Sequence, residues 1–307
     1  MVEVDPFKHQ LQLTKWDWLR TYFLGIFLVP MRVVIFLIAL ISMSIISKIA
    51  LFIYCRSNNI KEPFTSYWMK STHKFVILLW RIALQICGFS ITIKGEQVSA
   101  IEAPTLIAAP HSTFFDFFIG FGCGNPNSVV IAEEYTNVPI IGSVFQLFQP
   151  IYVKRDNPHA REIVKKEILS RASSAKKGWS QITFAPEGMC SNRKSLLPYK
   201  LGPFYPGKPI QQFVMRYPNT IDTVTWTWDQ HHGAISVMLL TLSQPITKFE
   251  IEWLPVYHPS SAEKEDPKLY ASNMRKRMAA HCNIPTFDIT FDEVKKRYAK
   301  NNPQKLR

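Results

Sequence analysis

The sequence predicts an α/β protein, a central mixed sheet flanked by helices, with an N-terminal membrane-embedded helical segment. Three observations carry this expectation. From about residue 89, short apolar runs bounded by turn residues alternate with helical stretches, as in a sheet covered by helices. Before residue 65, apolar residues continue for longer than an ordinary soluble helix requires. After Asp222 the pattern shifts to longer runs of strict alternation, which read as strands of a different character.

The membrane-anchoring segment is assigned to residues 1–65. Trp16, Trp18 and Tyr22, aromatics suited to a membrane interface, precede the apolar run 23–29, and Pro30 with Arg32 marks a break. Val33 to Ile46 is apolar apart from Ser42 and Ser44. With 51–54 it reaches the roughly 20 residues that cross a bilayer core. Lys48, near the end, can snorkel to the headgroups. A single spanning helix and a hairpin that enters and leaves on the same side both fit. Basic residues flank both ends (Lys15, Arg20, Arg32; Lys48, Arg56, Lys61), so orientation stays open. The run lies far from residue 1 and no Ala-x-Ala site follows it, which argues against a cleaved signal peptide.

The α/β domain is assigned to residues 66–260. It opens with a helix from about Ser66 to Cys87, on which Lys70, Lys74, Arg81 and Gln85 fall within about 60° of the helical wheel. That stripe is either an interfacial face meeting lipid phosphates or an ordinary solvated face. Residues 89–94 alternate as a strand and end at Gly95. Further strands are expected near 105–109, 128–132, 150–153, 181–185 and 209–215, with a helix from Pro158 to Lys177. Around 247–254, Thr247, Phe249, Ile251 and Trp253 face one way, and Lys248, Glu250, Glu252 and Leu254 the other. A helical extension, 261–307, is expected to pack on the domain with helices near 267–282 and 287–300.

The chain has 307 residues, room for one sizeable domain plus an attachment segment, and a net charge of +13 that suits anionic partners. Its five cysteines are scattered, without Cys-x-x-Cys spacing, so neither a disulfide framework nor a zinc site is indicated. His231-His232 lacks a third ligand at a sensible spacing. No RNP, helix-turn-helix or finger pattern supports nucleic-acid binding.

The most informative residues are 111–116. His111 stands directly after the apolar run 106–109 and Pro110, and Asp116 follows five positions later. Neutral imidazole can take a proton near pH 7, and a carboxylate fixes its tautomer and stabilises the imidazolium. On a continuous helix residues five apart are separated by about 140° and would not meet. They meet if His111 lies in the strand-to-helix turn and Asp116 in the first helical turn, which Pro110 and the potential N-cap Thr113 allow. The same residues also resemble a capping box, with Asp116 in place of the usual Glu.

Three blocks follow in order: Gly142-Ser143-Val144-Phe145 leading to Lys154-Arg155; Pro186-Glu187-Gly188-Met189-Cys190-Ser191-Asn192-Arg193; and Pro206-Gly207-Lys208-Pro209 with the apolar strand after it. With His111 and Asp116 they resemble the glycerolipid acyltransferase family, and most of all its acyl-CoA-dependent lysophosphatidylcholine (lyso-PAF) acyltransferases. Matching segments extend from Asp5-Pro6-Phe7 through Tyr217-Pro218-Asn219 to Tyr270-Ala271-Ser272-Asn273, nearly the whole chain.

The resemblance implies a glycerolipid acyltransferase-like fold and transfer of a fatty acyl group, or an acetyl group, from acyl-CoA to a lysophospholipid hydroxyl. His111 would be the base and Asp116 its orienting carboxylate; no serine nucleophile is needed, because the lipid hydroxyl attacks. Arg155, Glu187 and Gly188 would hold the glycerophosphate, with Asn192 and Arg193 as further binding residues. Glu187 would orient Arg155 or Arg193, or accept from a glycerol hydroxyl, and Lys154, Lys165 and Lys166 are candidates for the CoA phosphates. Partners are the bilayer, the lysophospholipid and acyl-CoA. No cofactor or metal is expected, and no Asp-x-Asp-x-Asp-Gly loop announces a calcium site. The expected location is the endoplasmic reticulum membrane, with Golgi and lipid droplet as alternatives.

Two departures stand out. Met189 occupies a position usually held by Thr, removing a hydroxyl, and Gln212 stands where the family usually has Pro. Lysophosphatidic acid acylation and an inactive membrane scaffold remain alternatives. A hydrolase is disfavoured because no Gly-x-Ser-x-Gly elbow is present.

Overall fold

A computed structural model describes residues 5–154, 156–227, 233–289, 293, 294 and 296. Seven strands, Phe89–Lys94 (β1), Thr105–Ala109 (β2), Asn127–Ala132 (β3), Ile151–Val153 (β4), Gln181–Phe184 (β5), Ile210–Arg216 (β6) and Thr247–Trp253 (β7), form one sheet in the order β1-β7-β6-β2-β5-β3-β4. β6, β2, β5, β3 and β4 are mutually parallel, whereas β7 runs antiparallel to β6 and β1 runs parallel to β7. The sheet is therefore mixed, as expected. The central strand β2 is buried at all five positions, and β6 at all but its last, the continuous burial of a strand covered on both faces. In β7 Thr247, Phe249, Ile251 and Trp253 are buried while Lys248, Glu250 and Glu252 are not, which reproduces the alternation in its sequence.

Helices Lys15–Cys55 (α1), Tyr67–Ile86 (α2), Phe115–Gly122 (α3), Ile141–Leu147 (α4) and Ala234–Leu242 (α6) pack around the larger core cluster. That cluster joins Met43, Trp80, Phe115, Val144 and Val237 to Phe213 and Phe249 of the sheet. Pro267–Cys282 (α8) covers the opposite face, where Tyr270 and Met274 meet Ile107, Ile210 and Val214. Ala160–Ser173 (α5) places Ile168 against Ile151 and Ile182, and Ser261–Glu265 (α7) precedes α8. The expected helix near 287–300 falls largely outside the described residues. Residues 284–289 belong to no helix or strand, and Thr286 is bridged to Leu196.

α1 differs from expectation in one respect. Pro30 and Arg32 do not break it; the helix runs through both. A proline inside a helix removes one backbone bond and costs roughly 3 kcal/mol in isolation, so the continuation needs outside support. Arg32 ties this stretch of the helix to the domain: Nη1 donates to the carbonyls of Leu242 (2.7 Å) and Gln244 (2.5 Å), and Nη2 to that of Pro245 (2.8 Å). The guanidinium is buried, and it caps the C-terminal end of α6, a helix that the sequence reading did not assign. Gly88, at φ +92°, permits the close approach, because a Cβ there would collide with the Arg32 side chain.

α1 is long and apolar enough to cross a membrane by length and composition. Much of its apolar surface, including Phe27, Ile38, Ile45 and Phe52, is exposed. α2 buries Met69, His73, Val76 and Trp80, and exposes a second apolar stripe: Phe75, Leu78, Ile82 and Ile86. The basic Lys70 and Lys74 are also exposed.

Candidate active site

β2 ends at Ala109, and the chain turns through Pro110 into His111 before α3 begins at Phe115. This turn brings together two residues that a continuous helix would hold apart. His111 Nδ1 lies 2.9 Å from Asp116 Oδ2. The same oxygen accepts from the backbone N–H groups of Ser112 (2.7 Å) and Thr113 (3.1 Å). Asp116 thus reaches back to Thr113 as a capping carboxylate does, while also holding the ring. The other half of a capping box is replaced, because Thr113 Oγ1 accepts from Phe115 N instead (3.3 Å). Its second oxygen, Oδ1, accepts from the hydroxyl of Tyr217 (2.8 Å), just beyond the end of β6. Asp116 is almost wholly buried, and the His111 side chain keeps 20% of its surface exposed.

Burial disfavours the charged ring of His111, but the Cys190 sulfur and the Asp116 carboxylate outweigh it, so His111 is held well above the usual histidine value. The second ring nitrogen, Nε2, faces Cys190 Sγ at 3.4 Å. The loop carrying that sulfur is tied to the backbone of residue 111 at two points. Ser191 N donates to His111 O (2.8 Å), and His111 N donates to Glu187 Oε1 (2.8 Å).

Glu187 sets both carboxylate oxygens on backbone N–H groups. It is 1% exposed, and its other oxygen accepts from Leu197 N (3.1 Å). The carboxylate braces two backbones and is not seen orienting Arg193. Burial pushes its pKa up to about 7, against the pull of those two N–H donors. Gly188 sits at φ +66°, where any side chain would be strained, and a Cβ there would run into Lys200.

Arg193 is bound by its neighbours. Nη1 donates to Ser112 Oγ (2.7 Å), Nη2 to Asp222 Oδ2 (2.5 Å), and the guanidinium lies 5.2 Å from the Tyr217 ring centroid. Although burial favours the neutral carboxyl, Arg193 and the Thr225 hydroxyl outweigh it and hold Asp222 below the ordinary value. Asn192 turns away from His111 to clamp the N-terminal segment: its Nδ2 donates to the carbonyls of Asp5 (2.9 Å) and Lys8 (2.9 Å), and its N–H to Pro6 O (2.7 Å). Met189 packs inward with Phe7, Leu197 and Val294. The side chain that replaces a family hydroxyl therefore serves the core. Gln212 is fully buried and donates to Met274 O (3.0 Å), tying β6 to α8.

Arg155, His231 and His232 lie outside the described residues. Of the lysines considered for CoA, Lys154 pairs with Glu133 (3.3 Å), Lys166 with Glu162 (3.7 Å), and Lys165 lies over the Tyr205 ring. Among the described residues no group of three or more His, Cys, Asp or Glu side chains is placed to hold a metal ion.

Residues 90–209 match the acyltransferase family model. This segment is similar to acyltransferase domains. It contains His111, Asp116, Glu187, Gly188, Cys190, Asn192 and Arg193, whereas Tyr217 and Asp222 reach the site from beyond the matched segment. The chain is 43% identical to lysophosphatidylcholine acyltransferase 2B of Rattus norvegicus, covering 95% of this chain and 55% of the relative. It is 38% identical to lysophosphatidylcholine acyltransferase 2 of Homo sapiens, over 95% of this chain and 53% of that one. To the lysophosphatidylcholine acyltransferase of Drosophila melanogaster it is 36% identical, over 95% and 54%. The chain therefore spans about half the length of the curated relatives it matches. In fold it is similar to the crystal structure of the 1-acyl-sn-glycerophosphate (LPA) acyltransferase PlsC from Thermotoga maritima, with a TM-score of 0.55 and 13% identity. That similarity covers 87% of this chain and 97% of the other.

In the sequence Tyr217 stands out only within one of the flanking matches. The tyrosine meets Asp116 from 101 residues away, and no local pattern announces it.

Proposed function

We propose that this chain transfers a fatty acyl group from acyl-CoA to the free hydroxyl of a lysophospholipid, with lysophosphatidylcholine or a related lysolipid as acceptor. The observation that carries the reading is the His111–Asp116 contact of 2.9 Å in a turn where the ring remains partly exposed. His111 accepts the hydroxyl proton as the oxygen attacks a thioester carbon, help typically worth ~10²–10⁴ in rate. Asp116 fixes the ring and stabilises its charge, and Tyr217 and two backbone N–H groups hold Asp116. CoA leaves as a good thiolate, so the reaction needs little acid catalysis and no metal.

The lysolipid phosphate is assigned to Arg155 and Arg193, because a guanidinium suits a pair of phosphate oxygens. Gly188 gives the ligand access to the backbone, while Glu187 and Asn192 act by holding the loop between them. The exposed apolar surfaces of α1 and α2 support attachment to a bilayer, with the lysines of α2 toward lipid phosphates. The endoplasmic reticulum is the proposed compartment, on the ground of the substrate class.

Incubating membranes that contain the full chain with labelled acyl-CoA and a panel of lysolipids tests the reading. Labelled diacyl phospholipid, formed best from a choline lysolipid, is the expected product. Labelled phosphatidic acid as the main product shifts the acceptor to lysophosphatidic acid, and free fatty acid as sole product replaces the transferase with a hydrolase.

A further inference from the structure

We propose that a cavity between the first turns of α1 and the loop after β6 binds the nucleotide end of CoA, its phosphorylated adenosine diphosphate. This deepens the function proposed above and rests on it, because acyl-CoA is the donor there.

The cavity has a volume of about 540 Å³, within the roughly 300–1,000 Å³ of small-molecule sites. Its walls are the start of α1, residues 218–221 and 223, and the turn 244–248 that opens β7. In open α/β sheets ligands bind outside the carboxyl ends of the strands. His111 follows β2, and the cavity lies beyond the same end of its parallel neighbour β6. Tyr217 donates to Asp116, and the next residue, Pro218, lines the cavity. Asp222 accepts from Arg193, and the next residue, Thr223, lines it again. One loop therefore separates the cavity from the His111–Asp116 pair. A pantetheine arm has only the rim of that loop to cross, where Pro218 and Thr220 are exposed.

The lining suits a phosphorylated nucleotide. Arg20 and Lys248, both exposed, reach the cavity from separate walls, which matches phosphates at separate points of one ligand. Ile221 and Ile246 add apolar surface for an adenine face. Asp17, the carboxylate among the lining residues, is engaged at the start of α1: its Oδ2 accepts from Thr14 N (3.1 Å) and Thr14 Oγ1 (2.6 Å).

The walls are fixed to one another. Asn219 Nδ2 donates to Lys248 O (3.0 Å) and Lys248 N donates to Asn219 Oδ1 (2.7 Å), which locks the loop to β7. Gln244 Nε2 donates to Thr21 Oγ1 (3.3 Å), which together with Arg32 locks the turn to α1. Binding therefore costs little ordering of the site. The apolar surface of α1 begins beside Arg20, with Leu19, Tyr22 and Phe23 exposed. Acyl-CoA has the same division, a tail for the bilayer and a charged nucleotide for water. A phospholipid headgroup shares the phosphate chemistry, but the second cation and the loop shared with the His111 pair favour CoA.

The test uses the full chain in phosphatidylcholine vesicles, with lysophosphatidylcholine as acceptor and palmitoyl-CoA or palmitoyl-pantetheine as donor. The truncated donor lacks the nucleotide. Wild type should prefer palmitoyl-CoA in kcat/KM by at least about 100-fold, because a remote group contributes binding energy to the reaction. Arg20→Glu and Lys248→Glu should each shrink that preference by at least about 10-fold, chiefly through the KM for palmitoyl-CoA. A preference within about 2-fold of wild type in both variants overturns the proposal. So does a preference that holds while the variants lose activation by added phosphatidylglycerol, which assigns the cavity to a lipid headgroup. A wild-type measurement needs no variant to fold: palmitoyl-CoA carrying an azide on its adenine should, on illumination, label peptides from 12–20, 218–223 or 244–248. Label confined to other peptides overturns the assignment. If the label is misplaced while wild type still makes diacyl phospholipid, the cavity assignment alone falls. If wild type acylates no lysolipid from either donor, the underlying reading fails.

Discussion

The hydroxyl of Tyr217 donates to Oδ1 of Asp116 at 2.8 Å while Oδ2 of the same carboxylate faces the ring of His111 at 2.9 Å. The two oxygens are thus divided between a fixed support and a working base. A hydrogen bond to a buried charged group contributes about 1.5–3 kcal/mol. Tyr217→Phe leaves one oxygen of a buried carboxylate short of a donor and frees the ring to tilt. The expected outcome is a fall in kcat of roughly 10- to 100-fold with the KM for acyl-CoA little changed. Steady-state kinetics at saturating lysolipid measures it.

His111 must be neutral to accept a proton, and its neighbours hold it above the usual histidine value. The acid limb of the rate profile should therefore lie above pH 6.5, the rate rising as the ring deprotonates. Asp116→Asn removes a contact that favours the charged ring. The acid limb should move to lower pH while the maximal rate falls, because the tautomer is no longer fixed. A profile of kcat/KM against pH for both proteins checks the direction. The stability contribution has the matching sign: a raised histidine favours the folded state below pH 6.5, and that advantage is lost as pH rises through the folded-state value.

Glu187 is a buried carboxyl whose pKa is raised to about 7, above the ordinary 4.5. Between those values the folded chain binds more protons than the unfolded chain. Its contribution is complete below pH 4.5 and is lost as pH rises through about 7. Thermal unfolding followed across this range should show that loss, and Glu187→Gln should flatten it. The variant should also be less stable, because one of the backbone N–H groups of His111 and Leu197 then meets an amide N–H₂, an unmet donor costing about 1–3 kcal/mol.

Arg32→Leu keeps an apolar stem in α1 but strips the donors from the carbonyls of Leu242, Gln244 and Pro245. The expected loss is about 3 kcal/mol, seen as a lower unfolding midpoint in detergent, together with faster proteolysis after α6. An unchanged midpoint would mean that α1 is held to the domain by its apolar contacts alone.

Local chemistry was readable from the chain, and chemistry assembled across it was not. The turn 110–116 is set by a proline, a threonine and an aspartate within seven positions, so the meeting of His111 and Asp116 follows from short-range rules. The sheet was readable because its strands carry uninterrupted apolar runs or strict alternation, as β2 and β7 do. Arg32 reads locally as a charge that ends an apolar helix, because the carbonyls that accept from it lie 210 or more residues away. Cys190 reads as one of five scattered cysteines until the fold sets it against a ring 79 positions earlier. Glu187, Asn192 and Arg193 were recognisable as a block, but a block does not say which way each side chain turns. One faces backbone amides, one the N-terminal segment, and one Asp222.

The central claim is that His111 is the base for acyl transfer to a lysolipid. Its most direct test compares wild type with His111→Ala at matched abundance in the same membranes, by the initial rate of label passing from acyl-CoA to lysophosphatidylcholine. Loss of at least about 100-fold in the variant is the predicted result. Equal rates in the two proteins would contradict it.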